Sequence, residues 1–179
     1  MTPGKNGQWA ETVLHAFNGR DGYGPQAGLV LDAAGHLYGT TSTGGRYSHC
    51  SYFGECGTVF ELASGRNGKW REKVLHNFNG KDGAFPDSTL TFDTAGNLYG
   101  TTYMGGVHDF GTAFQLMPGK NGKWKERVLY SLGSGKDGDS PASGLIIDGA
   151  GNLYGTAEYG GNHGGYCPPG CGTVFEITP

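Results

Sequence analysis

Long apolar runs are missing from this chain. No stretch approaches the ~20 residues that a membrane-spanning helix requires, so membrane insertion is not expected. Charge is scarce: 16% of the 179 residues are charged, and the formal net charge is −3. Without a basic surplus there is no electrostatic case for a nucleic acid or an anionic surface as partner. No segment carries a convincing helical period. Catalytic signatures are absent as well. There is no Gly-x-Ser-x-Gly, no phosphate loop, no His-Glu-x-x-His and no Asp-x-Asp-x-Asp calcium loop. No cofactor is expected. The chain opens Met1-Thr-Pro-Gly-Lys, without a leader or an anchor signal. That suits either a cytoplasmic protein or the mature part of a secreted one.

Glycine is abundant, at 36 of 179 residues against a usual share of about 7%. The glycines recur at turn positions rather than with a collagen period, which points to many short strands. The stretch Leu-Tyr-Gly-Thr occurs three times, at Leu37, Leu98 and Leu153. Each copy follows an Asp and a small-residue turn, beginning at Asp32, Asp93 and Asp148. The tyrosines Tyr38, Tyr99 and Tyr154 are 61 and 55 residues apart. Trp9, Trp70 and Trp124 form a second series, and Phe60, Phe114 and Phe175 a third. The chain is therefore a threefold repeat of about 55–60 residues.

Each repeat reads as four strands. The first is Gly28 to Asp32, with Leu90 to Asp93 and Gly144 to Asp148 as its copies. The second is Leu37 to Thr41. The third is Gly57 to Leu62, then Gly111 to Leu116, then Gly172 to Ile177. An Asn-Gly turn follows (Asn6-Gly7, Asn67-Gly68, Asn121-Gly122), a strong hairpin signal because both residues tolerate positive φ. The fourth strand runs Trp70 to Phe78, with equivalents from Trp9 and Trp124. Four-stranded meanders at this spacing predict an all-β fold, a β-propeller of three four-stranded blades in one domain over 1–179. The termini divide a hairpin between them, so the N-terminal strand 9–17 completes the blade ending at 172–178. Three blades are few for a propeller. The preferred solution is a homodimer whose exchanged strands close a six-bladed ring. A three-bladed closure within one chain and a fragment of a longer array stand beside it.

The composite Leu-x-x-Asp-x-Ala-Gly-Asn-Leu-Tyr-Gly-Thr-Thr, then Gly-Thr-Val-Phe-Glu-Leu, then Val-Leu-His-x-Phe-Asn-Gly-x-Asp-Gly-x-x-Pro, resembles the GloVer extracellular tandem repeat of bacterial choice-of-anchor surface proteins. The match covers essentially the whole chain. It implies a secreted or surface-displayed array with no established activity, so it transfers an extracellular or cell-surface location but no catalytic residues. This chain has three repeats where the family usually has more.

Cys50 and Cys56 precede the third strand of the first repeat, and Cys167 and Cys171 occupy the same loop of the third. Of the three possible pairings, local disulfides Cys50–Cys56 and Cys167–Cys171 are favoured, in an oxidising compartment. The spacing fits a zinc knuckle poorly. His49, His108 and His163 fall one per repeat in that loop, at unequal offsets, and no metal site is assigned to them. His15 and His76, with Tyr130 in the third copy, lie mid-strand and read as structural groups. Asp32, Asp93, Asp148, Asp21, Asp82 and Asp137 read as turn residues.

Positions where the copies disagree are the better functional candidates. The return loops and the second-to-third-strand loops share one face. The predicted ligand-binding residues there are Arg46, Tyr47, His49, Tyr52, His108, Asp109, Asp139, Glu158, Tyr159 and His163. Aromatic and polar groups on rigid strands suit a carbohydrate or another surface ligand. Several of these aromatics can equally serve as caps over the blade ends. The expected function is a non-enzymatic binding module. The alternatives are a glycosidase or lyase at the axial mouth, drawing on acids such as Asp139 and Glu158, and a structural or adhesion unit without a pocket.

Overall fold

The computed structural model describes residues 2–3, 6–47, 50, 54, 56–65, 68–133, 136–161, 167 and 170–179. At the N-terminus β1 (Thr2–Pro3) pairs antiparallel with β2 (Trp9–Ala10). The first repeat forms a four-stranded antiparallel sheet from β3 (Val30–Leu31), β4 (Leu37–Thr41), β5 (Thr58–Ser64) and β6 (Trp70–Asn77), in that order. The second repeats it with β7 (Thr91–Phe92), β8 (Leu98–Thr102), β9 (Thr112–Pro118) and β10 (Trp124–Ser131). The third sheet has three strands, β11 (Ile146–Ile147), β12 (Leu153–Ala157) and β13 (Thr173–Ile177). Among the described residues no helix is long and apolar enough to cross a membrane.

The repeated motif has a packing reason. A Cβ at Gly100 would lie 2.8 Å from Phe114 Cζ and 2.9 Å from Leu90 Cδ2. Gly39 meets Phe60 and Leu29, and Gly155 meets Phe175 and Leu145, in the same way. The second strand is thin here so that a phenylalanine of the third and a leucine beside the first can close over it. The tyrosine is tied to the turn before it. Tyr38, Tyr99 and Tyr154 donate to Asp32, Asp93 and Asp148 at 3.1, 2.9 and 3.1 Å. Each Asp also accepts from the backbone N–H two residues on, at 2.9 Å, which is the turn chemistry expected of it. At the third-to-fourth-strand hairpin of the second repeat, Asn121 and Gly122 both have positive φ, 61° and 69°, as a type I′ turn requires.

The core lies between successive sheets. Tyr38, Val59, Phe78, Leu98 and Phe114 belong to one buried cluster, and Ala113, Leu145 and Leu153 to the next. The fourth strand ends by docking on the following sheet, where Phe78 meets Phe114 edge-on at 5.1 Å. Phe17 meets Phe60 in the same way at 5.0 Å, so the N-terminal segment begins its return as the other outer strands do.

Two expected elements are realised only in part. The first strand of each repeat spans only two residues, Val30–Leu31, Thr91–Phe92 and Ile146–Ile147. The strand predicted over 9–17 is seen only at Trp9–Ala10, and residues 11–18 have no ladder partner. The third sheet correspondingly ends at β13. Strand geometry needs a neighbour to accept its N–H and C=O groups, and each of these segments lacks the neighbour that its copies have. Val174 on β13 is 81% exposed, whereas its equivalents Val59 and Ala113 are 0% exposed. A cleft of about 440 Å³ runs beside it, lined by Tyr130, Leu132, Asp137, Val174 and Phe175.

Candidate functional site

The return loop and the second-to-third-strand loop of each repeat are joined by a short antiparallel bridge: Tyr23 to Thr43, Ala84 to Met104, and Asp139 to Tyr159. The two loop sets therefore share a face, as expected. Arg46 and Tyr47 are exposed on the first loop, where the Arg46 N–H donates to Asn77 Oδ1 at 2.8 Å. His108 and Asp109 are exposed at the tip of the second. Asp109 adopts φ 64° while its Oδ1 accepts from Gly105 N–H at 3.1 Å. His49, Tyr52 and His163 lie outside the described residues.

Asp139, Glu158 and Tyr159 are brought together, and a residue not predicted for the site joins them. The Tyr103 hydroxyl donates to Glu158 Oε2 at 3.0 Å across 55 residues of sequence. Burial and this bond push the Tyr103 hydroxyl up. Tyr159 is pushed up first by its own hydrogen bond to Glu158, so both phenols stay protonated donors. Asp139 accepts from the Ser140 hydroxyl at 2.6 Å. Ser140 holds φ 56° and Phe85 φ 57°. Both stand at the repeat position of Gly24, whose φ is 68°. The left-handed backbone lets this residue bond both sides of the loop: Ser140 N–H reaches Phe110 O, and Ser140 O accepts from Glu158 N–H. The result is two phenols and two carboxylates on one side of the loop face.

The cysteines pair as expected, Cys50 with Cys56 and Cys167 with Cys171, their Cα atoms 5.2 and 5.3 Å apart. Each pair closes the loop that carries predicted site residues. Cys56 is fully buried in the core cluster between the first two sheets, so this staple also packs.

A second constellation lies along the fourth strands, where the sequence analysis reads the histidines as structural and the aspartates as turn residues. A register shift in β6 falls between the partners of Val59 and Phe60, just before His76. Such a bulge re-aims the side chains that follow. His76 Nε2 stands 3.2 Å from Asp82 Oδ2. Asp82 is itself held by Asn79, whose N–H reaches Oδ1 at 2.9 Å. Because β10 lies against β6, Glu126 completes a group whose ligand atoms all lie within 4.8 Å of one another. His15, Asp21 and Glu72 form the same group one junction earlier. There His15 Nε2 is 3.1 Å from Asp21 Oδ2. Burial, then the Asp82 charge, pushes the Glu126 carboxyl up to about 7. Glu72 is raised by burial and by Asp21. The available signal was the Glu at the third position of every fourth strand (Glu11, Glu72, Glu126). Only the stacking of adjacent outer strands shows what it faces.

A family model described as the Gloeobacter/Verrucomicrobia repeat matches residues 1–179, in agreement with the resemblance drawn from the repeated motif. No curated protein matches the chain.

Proposed function

The chain belongs to the Gloeobacter/Verrucomicrobia repeat family, and from that premise we propose that it is a secreted or surface-displayed, non-enzymatic β-propeller module that binds a carbohydrate through its loop face. The observation that carries the binding reading is the convergence of Tyr103, Tyr159, Glu158 and Asp139. Aromatic rings offer sugars an apolar face, and fixed carboxylates accept their hydroxyls. The disulfides support an oxidising, extracellular setting.

The test is a glycan array followed by thermal shift on the disulfide-intact protein. At least one glycan class should bind, and Tyr159→Ala should weaken it about tenfold, the loss usual for truncating a central aromatic contact. A blank array with no shift overturns the reading. A structural or adhesion unit would then remain, favoured by the clefts at the strand edge and beneath the short turns (Tyr38, Phe92 and Trp124).

The propeller reading is supported by contacts between the first two strands of successive repeats and the residues just before them. Gly28 N–H donates to Thr89 Oγ1 at 3.1 Å, and Thr91 Oγ1 donates to Leu145 O. Thr101 Oγ1 reaches Ser143 O at 3.0 Å. The free edge of β13 takes residues 9–17 of a second copy, giving a six-bladed ring. The first sheet supplies the register: Val59 faces His76, Phe60 faces Val74 and Leu62 faces Glu72. The exchanged strand would place His15 opposite Val174, Val13 opposite Phe175 and Glu11 opposite Ile177. Val13 and Trp9 are 71% and 66% exposed in the single chain, the apolar complement of that edge.

A further inference from the structure

We propose that the chain carries two equivalent divalent-metal sites of the Zn²⁺ class, pinning successive outer strands together: His15, Asp21 and Glu72 hold one ion, and His76, Asp82 and Glu126 the other. Within each group every ligand atom lies within 4.8 Å of the others. Tetrahedral ligands about 2.0–2.1 Å from zinc stand about 3.3 Å from one another. The His–Asp pairs, at 3.1 and 3.2 Å, already have that spacing, and the Glu carboxylate needs only a side-chain adjustment to reach it.

The polar atoms point to an absent partner. Among the described residues, Glu72 Oε1, Glu126 Oε1 and His76 Nε2 are buried without a hydrogen-bond partner. Buried acceptors and ring nitrogens are rarely left so. His76 Nε2 is near Asp82, yet the pair does not meet hydrogen-bond geometry. One neutral imidazole and two carboxylates match the charge of a divalent ion. A nitrogen in the set favours zinc, iron or nickel over calcium, which takes six to eight oxygens. Three protein ligands leave the fourth position to water at the rim, where the His and Asp side chains are 14–22% exposed.

The supports differ at one ligand. Glu72, His76 and Glu126 come from the fourth strands β6 and β10, whereas His15 comes from the N-terminal segment, which has no ladder partner. Each Asp comes from a turn whose Asn bonds it twice: Asn18 to Asp21 at 2.9 and 2.8 Å, and Asn79 to Asp82 at 2.9 and 2.6 Å. The third junction is a natural control. There Tyr130 replaces the histidine, and its hydroxyl donates to Asp137 Oδ2 at 2.7 Å. The site count is therefore two per chain, whatever the assembly.

The test is calorimetric titration of ZnCl₂ into tag-free, EDTA-treated, disulfide-intact full chain, with Co²⁺ absorption as a second readout. Two ions per chain are expected. His76→Tyr, which installs the residue the third repeat already carries, should leave one ion. His15→Tyr with His76→Tyr should leave none. Glu126→Gln should also leave one, and serves if the tyrosine variants fail to fold. His36→Asn, the residue of the other two copies, should keep both ions. No uptake by the EDTA-treated protein overturns the proposal. So does uptake that survives the double histidine variant, which would place the ions elsewhere, the loop-face histidines included.

Discussion

Asp93 holds its turn through four hydrogen bonds, as Asp32 and Asp148 do in the other repeats. Its carboxylate accepts from the Ala95 and Asn97 backbone at 2.9 and 2.8 Å, from Asn97 Nδ2 at 2.7 Å and from the Tyr99 hydroxyl at 2.9 Å. Burial alone would raise its carboxyl, but the bonds from Asn97, Tyr99 and Ala95 outweigh it and hold the group below the ordinary carboxylate range. A folded-state value below the unfolded one, near 3.9, adds stability above that unfolded value and loses it as pH falls through the folded one. Asp32 is lowered in the same sense, against a burial effect that alone would raise it. Stability should therefore fall on acidification below about pH 4. Asp93→Ala should cost about 1–3 kcal/mol by leaving these donors unpaired and should flatten the acid limb. Denaturant melts at pH 3 and pH 7 check both; an unchanged acid limb would contradict the assignment.

At the scale of the strand, the second element of each repeat is the most constrained. It is covered on one side by a ring from the third strand and by a leucine next to the first. Gly100→Ala would push a methyl group into Phe114 and Leu90, both essentially fully buried. Overpacking of this kind costs about 1–3 kcal/mol, and a fall in thermal midpoint with unchanged circular dichroism is the expected result. A neutral outcome would mean that the phenylalanine ring is free to move aside. The Leu-Tyr-Gly-Thr motif thus has a local explanation for its Gly and its Tyr.

For the whole molecule the governing fact is an imbalance of edges. β13 offers a row of backbone groups and an exposed Val174, while residues 11–18 stand without a ladder partner. Unpaired edges attract strands of matching pattern. Light scattering should give the mass of two chains rather than the 18.8 kDa of one. Val174→Asp should abolish the larger species, because the equivalent Val59 is completely buried once its outer strand is present. A clean single-chain mass for the well-folded parent would rule out the exchanged ring.

Much of this was legible before any coordinates. Turn glycines, Asn-Gly pairs and alternating strands are local signals, and three copies at near-constant spacing made each one a check on the others. The second strands fall at Leu37–Thr41, Leu98–Thr102 and Leu153–Ala157, where the motif put them. The cysteine pairs followed from proximity in sequence. Other features could not be read locally. His76 and Glu126 are 50 residues apart, and each looked like an ordinary strand residue. Tyr103, opening the loop after a repeated strand, gave no sign that it would reach Glu158. The sequence by itself determined the repeat, its strands and its turns, because those depend on φ preferences and on side-chain alternation within a few residues. The tertiary structure alone decided which side chains of successive repeats meet, Glu126 with His76 and Tyr103 with Glu158. Those contacts arise from stacking one repeat on the next, and the pattern within a repeat does not encode its neighbour.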